Sequence, residues 1–439
     1  MVATTVRPPG FSLGPVALAE VLRTRRATDI LDRLARVAPD VGFLKLGPER
    51  VYVVFTPELA RELLVTRGRQ TAKGRGLEKA RQVLGNGLLT AEGEDHRRQR
   101  RLIQPALAHD RVAGYAAEMV AAATETAAGW RPGTPVDLSA EMSGLALRAV
   151  GRALFGAELS AEATQVGDAL ATLMRYFQRV WLPFPVVPAR WSRTQRRIEA
   201  AIATLDDVVG SVIATRRASG DTGDLISTLL AAMPDRQVRD EVLTLMLAGH
   251  ETTANALTWA SLLLSRSPSA VAALHAEVDA LPGPPRFADL PALPYTRAVV
   301  AESLRLYPPA WVMSRRMLEP VTLGGYPVPA GAMGALSPWV LHRDPRWWEA
   351  PVAFRPRRWL MAGRFDEAAP GQPRGAYLPF GAGRRVCVGA DFAWTEAVLV
   401  LATLAREWTL RPAPGCRVDL FPAITLRPRY GLLMIPSRR

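Results

Sequence analysis

The run Phe380-Gly381-Ala382-Gly383-Arg384-Arg385-Val386-Cys387-Val388-Gly389 constrains this chain more than any other ten residues. Three glycines let the backbone turn tightly enough to present one sulfur and several amide N–H groups to a flat partner. A thiolate persists at neutral pH only in positive surroundings, which Arg385 and the N-terminus of a helix starting near Ala390 would supply. Metal coordination would complete the deprotonation. The competing reading is a buried structural cysteine in a glycine-rich turn.

The rest of the chain narrows the choice. Only one other cysteine, Cys416, occurs, so a disulfide framework is not expected, and pairing would consume the candidate ligand. Hydrophobic residues make up 49% and charged residues 22%, which describes a globular chain with a large core. Residues Met1 to Leu22 contain neither a long apolar run nor a signal-peptide pattern, so no membrane anchor and a cytoplasmic location are expected. The net charge of +14 is carried almost wholly by dispersed arginines, with Lys45, Lys73 and Lys79 the only lysines. Apart from Glu94 to Arg101, no basic cluster alternates with aromatics, which argues against nucleic acid and for a basic face that meets an acidic partner.

No linker, repeat or low-complexity tract divides residues 1–439, so one domain is expected. Phe43 to Phe55 alternates around Gly47-Pro48 and reads as a hairpin, followed by a helix capped by Thr56 with Pro57 at its first position. Apolar residues recur at helical spacing through Val112–Thr126, Met142–Phe155, Ala161–Val180 and Arg193–Arg217. Tyr326 to Trp339 is strand-like, Arg355 to Gly375 an irregular meander, and Ala390 to Trp408 helical again. The fold class is therefore mainly α with small β-sheets.

Three further motifs carry chemistry. A long helix opening near Asp235 and stopped by Pro268 carries Ala248-Gly249-His250-Glu251-Thr252-Thr253. Ala248 and Gly249 leave room for a flat partner, Thr252 can bond back to a carbonyl near Ala248, and a hydroxyl beside a reloading carboxylate suits proton delivery. His250 should face a neighbouring helix. Glu302-Ser303-Leu304-Arg305 places acid and base on one helical face, which alone reads as a surface ion pair. In Gly93 to Arg101, His96 and Arg100 also share a helical face.

Together these motifs resemble the cytochrome P-450 haem-thiolate monooxygenases, of the soluble bacterial type. The cysteine run meets every fixed position of that family's signature, and Ala248 to Thr252 meets its central-helix pattern. The resemblance spans the hairpin at Phe43 to the final strands near Pro428 to Pro436, and implies a single triangular fold with haem b between the long helix and the cysteine loop. It implies Cys387 as the axial thiolate ligand of the iron, Glu251 and Thr252 as the catalytic acid and alcohol, and haem contacts from Ala248, Gly249, Phe380, Arg385 and Gly389. His96, standing where Trp is commoner, Arg100 and Arg315, with Arg316 its rival, are the implied propionate ligands, since a planar guanidinium matches a carboxylate. Arg358, in Phe354-Arg355-Pro356-Arg357-Arg358-Trp359, would lock onto Glu302 and Arg305 and hold the cysteine loop.

By the same resemblance the pocket draws on Leu77, Leu84, Leu88, Leu173, Phe177, Trp181, Phe184, Met246, Leu247, Trp311, Val312 and Ile424, with Trp181 to Pro188 as a stiff apolar lid connection. Such a lining fits an apolar substrate held by shape. A terpenoid ranks first, a polyketide or macrolide second and a fatty acid third. The expected reaction inserts one oxygen atom of dioxygen into a C–H or C=C bond. No flavin or iron–sulfur segment follows Cys387, so electrons are expected from a separate ferredoxin and ferredoxin reductase, acting on a monomer. A peroxide-driven relative and a non-enzymatic haem sensor or carrier are the alternatives.

Overall fold

The computed structural model describes residues 7–14, 18, 20–21, 26–159, 162–180, 192–221 and 223–439. Helices dominate, and the proposed lid connection Trp181 to Pro188 lies outside the described residues.

The central helix, Asp235–Ser265, is 31 residues long and so about 46 Å at 1.5 Å per residue. From Val242 to Leu247 and from Thr253 to Leu264 every side chain is buried, as an almost all-round apolar sequence requires of a core helix. It packs most extensively on Leu138–Phe155, and also touches Pro294–Leu306 and Ala390–Glu407. The helix stops at Ser265, short of Pro268. The proline instead occupies the first position of the next helix, Pro268–Asp279, because the residue preceding a proline is driven out of the helical region and Ser267 sits at φ −135°, ψ 83°.

Gly249 does not serve quite the purpose its position suggests. A Cβ there would lie 2.8 Å from Val150 Cγ2, so the missing side chain brings two helices together as well as leaving the cavity face flat.

A six-stranded sheet runs in the order Gly10–Leu13, Val41–Leu46, Glu49–Val54, Met333–Leu336, Met313–Met317, Thr71–Lys73. Its hairpin turns at Gly47, and Thr56 Oγ1 caps the following helix by accepting the Leu59 N–H at 3.3 Å. Register decides what this sheet contributes to function. Lys73 lies opposite Arg315, so both side chains leave the same face. Arg316, one residue on, leaves the other and pairs with Glu78 at 2.5 Å. A second sheet joins Trp408–Pro412, Leu433–Arg438 and Val136–Asp137. The hairpin Leu420–Pro422 with Leu426–Pro428 closes against the central helix, where Trp259 Nε1 donates to Leu426 O at 3.0 Å.

Candidate active site

The cysteine loop is shaped by two glycines in the left-handed region, Gly381 and Gly383, both at φ +72°. A Cβ on Gly383 would sit 2.3 Å from Leu64 O, so only glycine allows the loop to press on the helical turn Glu62–Thr66. Cys387 N donates to Phe380 O at 2.9 Å, closing the loop at its base. Protein surrounds Cys387, yet its accessible surface is open, because that surface faces an internal cavity. Burial pushes the thiol above its ordinary value, while the Gly389 N–H and the Arg100 guanidinium pull it down.

Arg100, rather than Arg385, is therefore the cation that favours the sulfur's charged form. Arg100 Nη1 donates to Val386 O at 2.7 Å, next to the cysteine. Arg385 turns away, donating to Glu92 at 2.5 Å and to Thr71 O at 3.0 Å. The short distance in sequence between Arg385 and Cys387 misled, because a turn between them sends the two side chains in different directions.

The cavity, of about 430 Å³, lies between this loop and the central helix. One edge gathers His96, Arg100, Arg315, Arg385 and Lys73, with Glu92 the nearest carboxylate. Burial pushes Arg315 down to about 10 and Lys73 to about 7, and lowers His96 to about 4. The remaining walls are largely apolar, with Val150, Leu154, Leu245, Val300, Leu304 and Phe392, broken by the hydroxyls of Thr244, Thr252, Thr253 and Ser314. Sequence reasoning missed Lys73 and Glu92 as members of this edge. The signal was a lysine in an otherwise arginine-based chain, in a short strand flanking the cavity.

On the opposite wall Thr252 Oγ1 donates to Ala248 O at 2.7 Å, the expected back-bond. Glu251 is buried and faces away from the cavity, accepting from Thr425 Oγ1 at 2.6 Å with Arg427 at 3.9 Å. Burial raises its pKa and Arg427 opposes the rise. The two residues are not hydrogen-bonded to each other, and Thr425 could not have been found from the local motif. His250 turns to Ser143 of the neighbouring helix at 2.5 Å, and burial lowers it to about 4. Behind the helix Glu396 is completely buried. Neither of its oxygens has a well-formed hydrogen bond among the described residues, and burial pushes it up to about 8 against a small opposing pull from the Thr253 hydroxyl.

Glu302 and Arg305 are not a surface pair. Both are fully buried, joined at 2.7 and 2.9 Å, and Glu302 also accepts from Arg358 at 3.2 Å, Trp359 Nε1 at 2.9 Å and the Arg355 N–H at 2.9 Å. Arg305 donates onward to His342 O, and His342 Nε2 accepts the Leu378 N–H two residues before Phe380. The cluster is thus wired to the base of the cysteine loop.

Of the expected pocket residues, Leu77, Leu88, Val312 and Ile424 line the cavity. Leu84, Leu173, Met246, Leu247 and Trp311 are core instead, because their helix or loop positions point into neighbouring elements, Trp311 Nε1 donating to Ala423 O at 2.8 Å. Leu89, Leu245, Pro309 and Met313 take their places. Trp181, Phe184 and the side chain of Phe177 lie outside the described residues.

A mostly helical fold with small sheets, a cysteine loop facing a central helix and cations along one cavity edge define a haem-thiolate class of protein. The chain belongs to the cytochrome P450 family, whose model matches residues 8–435. It is 41% identical to cyclooctatin synthase of Streptomyces melanosporofaciens over 99% of this chain and 96% of that one. It is 42% identical to cyclooctat-9-en-7-ol 5-monooxygenase of the same organism, over 86% and 83%. Pentalenene oxygenase of Streptomyces avermitilis is 37% identical over 91% and 90%. The crystal structure of CYP175A1 from Thermus thermophillus covers 98% of this chain and 100% of that one with a TM-score of 0.79 and 31% identity. The protein is a monooxygenase, which displaces the reading of a haem sensor or carrier. No described helix is long and apolar enough to cross a membrane.

Proposed function

We propose that the protein oxygenates a terpenoid, inserting one oxygen atom into a C–H or C=C bond of an apolar small molecule. The observation that carries this reading is the cavity wall beyond the cation edge: Leu88, Leu89, Leu245, Val312 and Ile424 offer shape and no charge. The relatives named for cyclooctatin, cyclooctat-9-en-7-ol and pentalenene, all terpenoid skeletons, support it. Among the described residues that wall carries no charged anchor, which disfavours a fatty acid.

The residues present fit a haem b group. Cys387 would hold the iron, the His96, Arg100, Arg315, Arg385 and Lys73 edge would hold the propionates, and the apolar walls would take the ring. Bound there, haem supplies the activation of dioxygen with electrons delivered from a ferredoxin and its reductase. The protein's own part is to exclude water and to move protons. Thr252 presents its hydroxyl to the cavity, and its bond to Ala248 O leaves the oxygen lone pairs free to accept. Glu251, with its pKa raised, retains a proton nearer to neutrality than an exposed glutamate does. It acts as the reloading acid once its carboxyl leaves Thr425 and turns towards Thr252.

The test is incubation of the purified protein with terpene hydrocarbons and alcohols, a surrogate ferredoxin and reductase, NADPH and oxygen-18 gas. One labelled oxygen atom per product is expected. Conversion of macrolides or fatty acids, with terpenoids untouched, would overturn the substrate class.

A further inference from the structure

The segment Gly85-Asn86-Gly87-Leu88-Leu89-Thr90-Ala91 is held unusually tightly for a loop. It lies flat on the central helix because glycines stand at the contact points: a Cβ on Gly85, at φ +73°, would be 2.0 Å from the Asp240 carboxylate, and one on Gly87 would be 2.2 Å from Thr244 Oγ1. Three polar positions on one end of the central helix then grip its backbone. Gln237 Nε2 donates to Asn86 O at 3.0 Å, Asp240 accepts the Asn86 N–H at 2.7 Å, and Glu241 accepts the Leu88 N–H at 2.8 Å.

The other side is gripped by a lysine. Lys73 Nζ donates to Leu88 O at 2.7 Å and to Ala91 O at 2.6 Å. Leu88 therefore has both of its backbone polar atoms bound by buried side chains, an acid and a base, Glu241 and Lys73, neither more than 5% exposed and each pushed by burial to about 7. In so dry an environment, breaking either bond leaves a buried polar group without a partner, which is costly whether that group is charged or neutral. A loop needed only to cover the core could have used small, non-ionisable partners. What this loop carries is Leu88 and Leu89, both of which line the cavity.

We propose that Glu241, backed by Asp240 and opposed by Lys73, fixes the Gly85–Ala91 segment as a rigid wall of the reaction cavity and so sets the size of the molecule admitted beside Thr252. Glu241 is a positioning residue. It acts through the Leu88 peptide and touches no substrate. The proposal rests on the cavity being the haem and substrate site.

Three azoles of graded size test it on the holoenzyme: imidazole, 4-phenylimidazole and clotrimazole, each titrated by the shift of the haem absorbance, alongside hydrogen–deuterium exchange of the peptide containing residues 85–91. In Glu241→Ala the exchange of this peptide rises about tenfold or more. The ratio of clotrimazole to imidazole Kd changes about fivefold or more, while the imidazole Kd stays within about twofold. Glu241→Gln, whose amide oxygen can still accept the Leu88 N–H, keeps the wild-type ratio and exchange. Should the alanine variant not fold, Glu241→Asp, which keeps the carboxyl but withdraws it from Leu88, should move both readouts in the same direction. An unchanged azole ratio in a variant that still binds imidazole overturns the wall alone. Wild-type protein that binds no azole overturns the haem reading, and the wall with it.

Discussion

Two buried glutamates of this molecule are held in different ways. Glu302 is fully enclosed and receives five donated hydrogen bonds, from the Nε and Nη2 of Arg305, the side chains of Arg358 and Trp359 and the Arg355 N–H. Glu251 is nearly as buried yet has one hydroxyl at 2.6 Å and a guanidinium at the edge of range. A carboxylate saturated with cationic donors has no reason to take up a proton or to move. One with a single short hydrogen bond, from a neutral hydroxyl, and a guanidinium only at 3.9 Å is freer to do both. Burial alone therefore does not separate scaffold from chemistry in this fold. The count and charge of the donors does.

The contrast can be broken experimentally, and the largest effect is expected at the cysteine sulfur. Cys387→Ala should abolish oxygenation and the red-shifted absorbance of the reduced, carbon monoxide-bound protein while leaving the Glu302 cluster folded; retained turnover would remove Cys387 as ligand. Glu302→Ala comes next. It strands the buried Arg305 guanidinium and the Trp359 indole N–H, at a cost of about 3–5 kcal/mol. A fall in Tm of at least about 4 °C with poor haem retention is expected, and a calorimetric scan that shows no fall would erase the distinction drawn above.

Changes at Glu251 and Thr252 should spare stability and strike turnover. Glu251→Gln is expected to slow product formation about a hundredfold with Tm nearly unchanged. Thr252→Ala, which loses one back-bond, should keep haem and divert reducing equivalents into peroxide, read as peroxide formed per NADPH consumed; unchanged coupling in both variants would take the pair out of proton delivery.

The smallest effect concerns Glu396, a third buried glutamate with still fewer partners. Its folded-state pKa of about 8 lies above the usual 4.5, so the folded state holds a proton that the unfolded chain releases. The contribution to stability is complete below the unfolded value and lost as pH rises through about 8. Wild-type Tm should thus fall more steeply than that of Glu396→Gln between about pH 5 and pH 8.5. Parallel curves would mean that Glu396 is partnered in solution.

Local motifs were readable from sequence because their chemistry is contained in ten residues or fewer: the glycines of the cysteine loop, the back-bond of Thr252, the helical pairing of Glu302 with Arg305. The hairpin and the long helix were equally plain from periodicity, although Pro268 begins a helix and does not end one. What stayed hidden depends on distant register. Arg315 could be separated from Arg316 only by knowing which strand face meets Lys73. Arg385 was credited with charging the sulfur because it is two residues away, whereas Arg100 comes from a different helix. The hydroxyl that holds Glu251 in its resting position, that of Thr425, sits 174 residues later and could not be read from the local motif.

That last separation has a temporal meaning. The central helix leaves the ribosome long before Thr425 and Leu426, which satisfy Glu251 and the Trp259 indole across gaps of 174 and 167 residues. At cellular elongation speeds of about 5–20 residues per second, the nascent chain carries these orphaned polar groups for roughly ten to thirty seconds. Emergence of Thr425 and Leu426, and not of the motif-bearing helix, is the moment at which this catalyst can first be assembled.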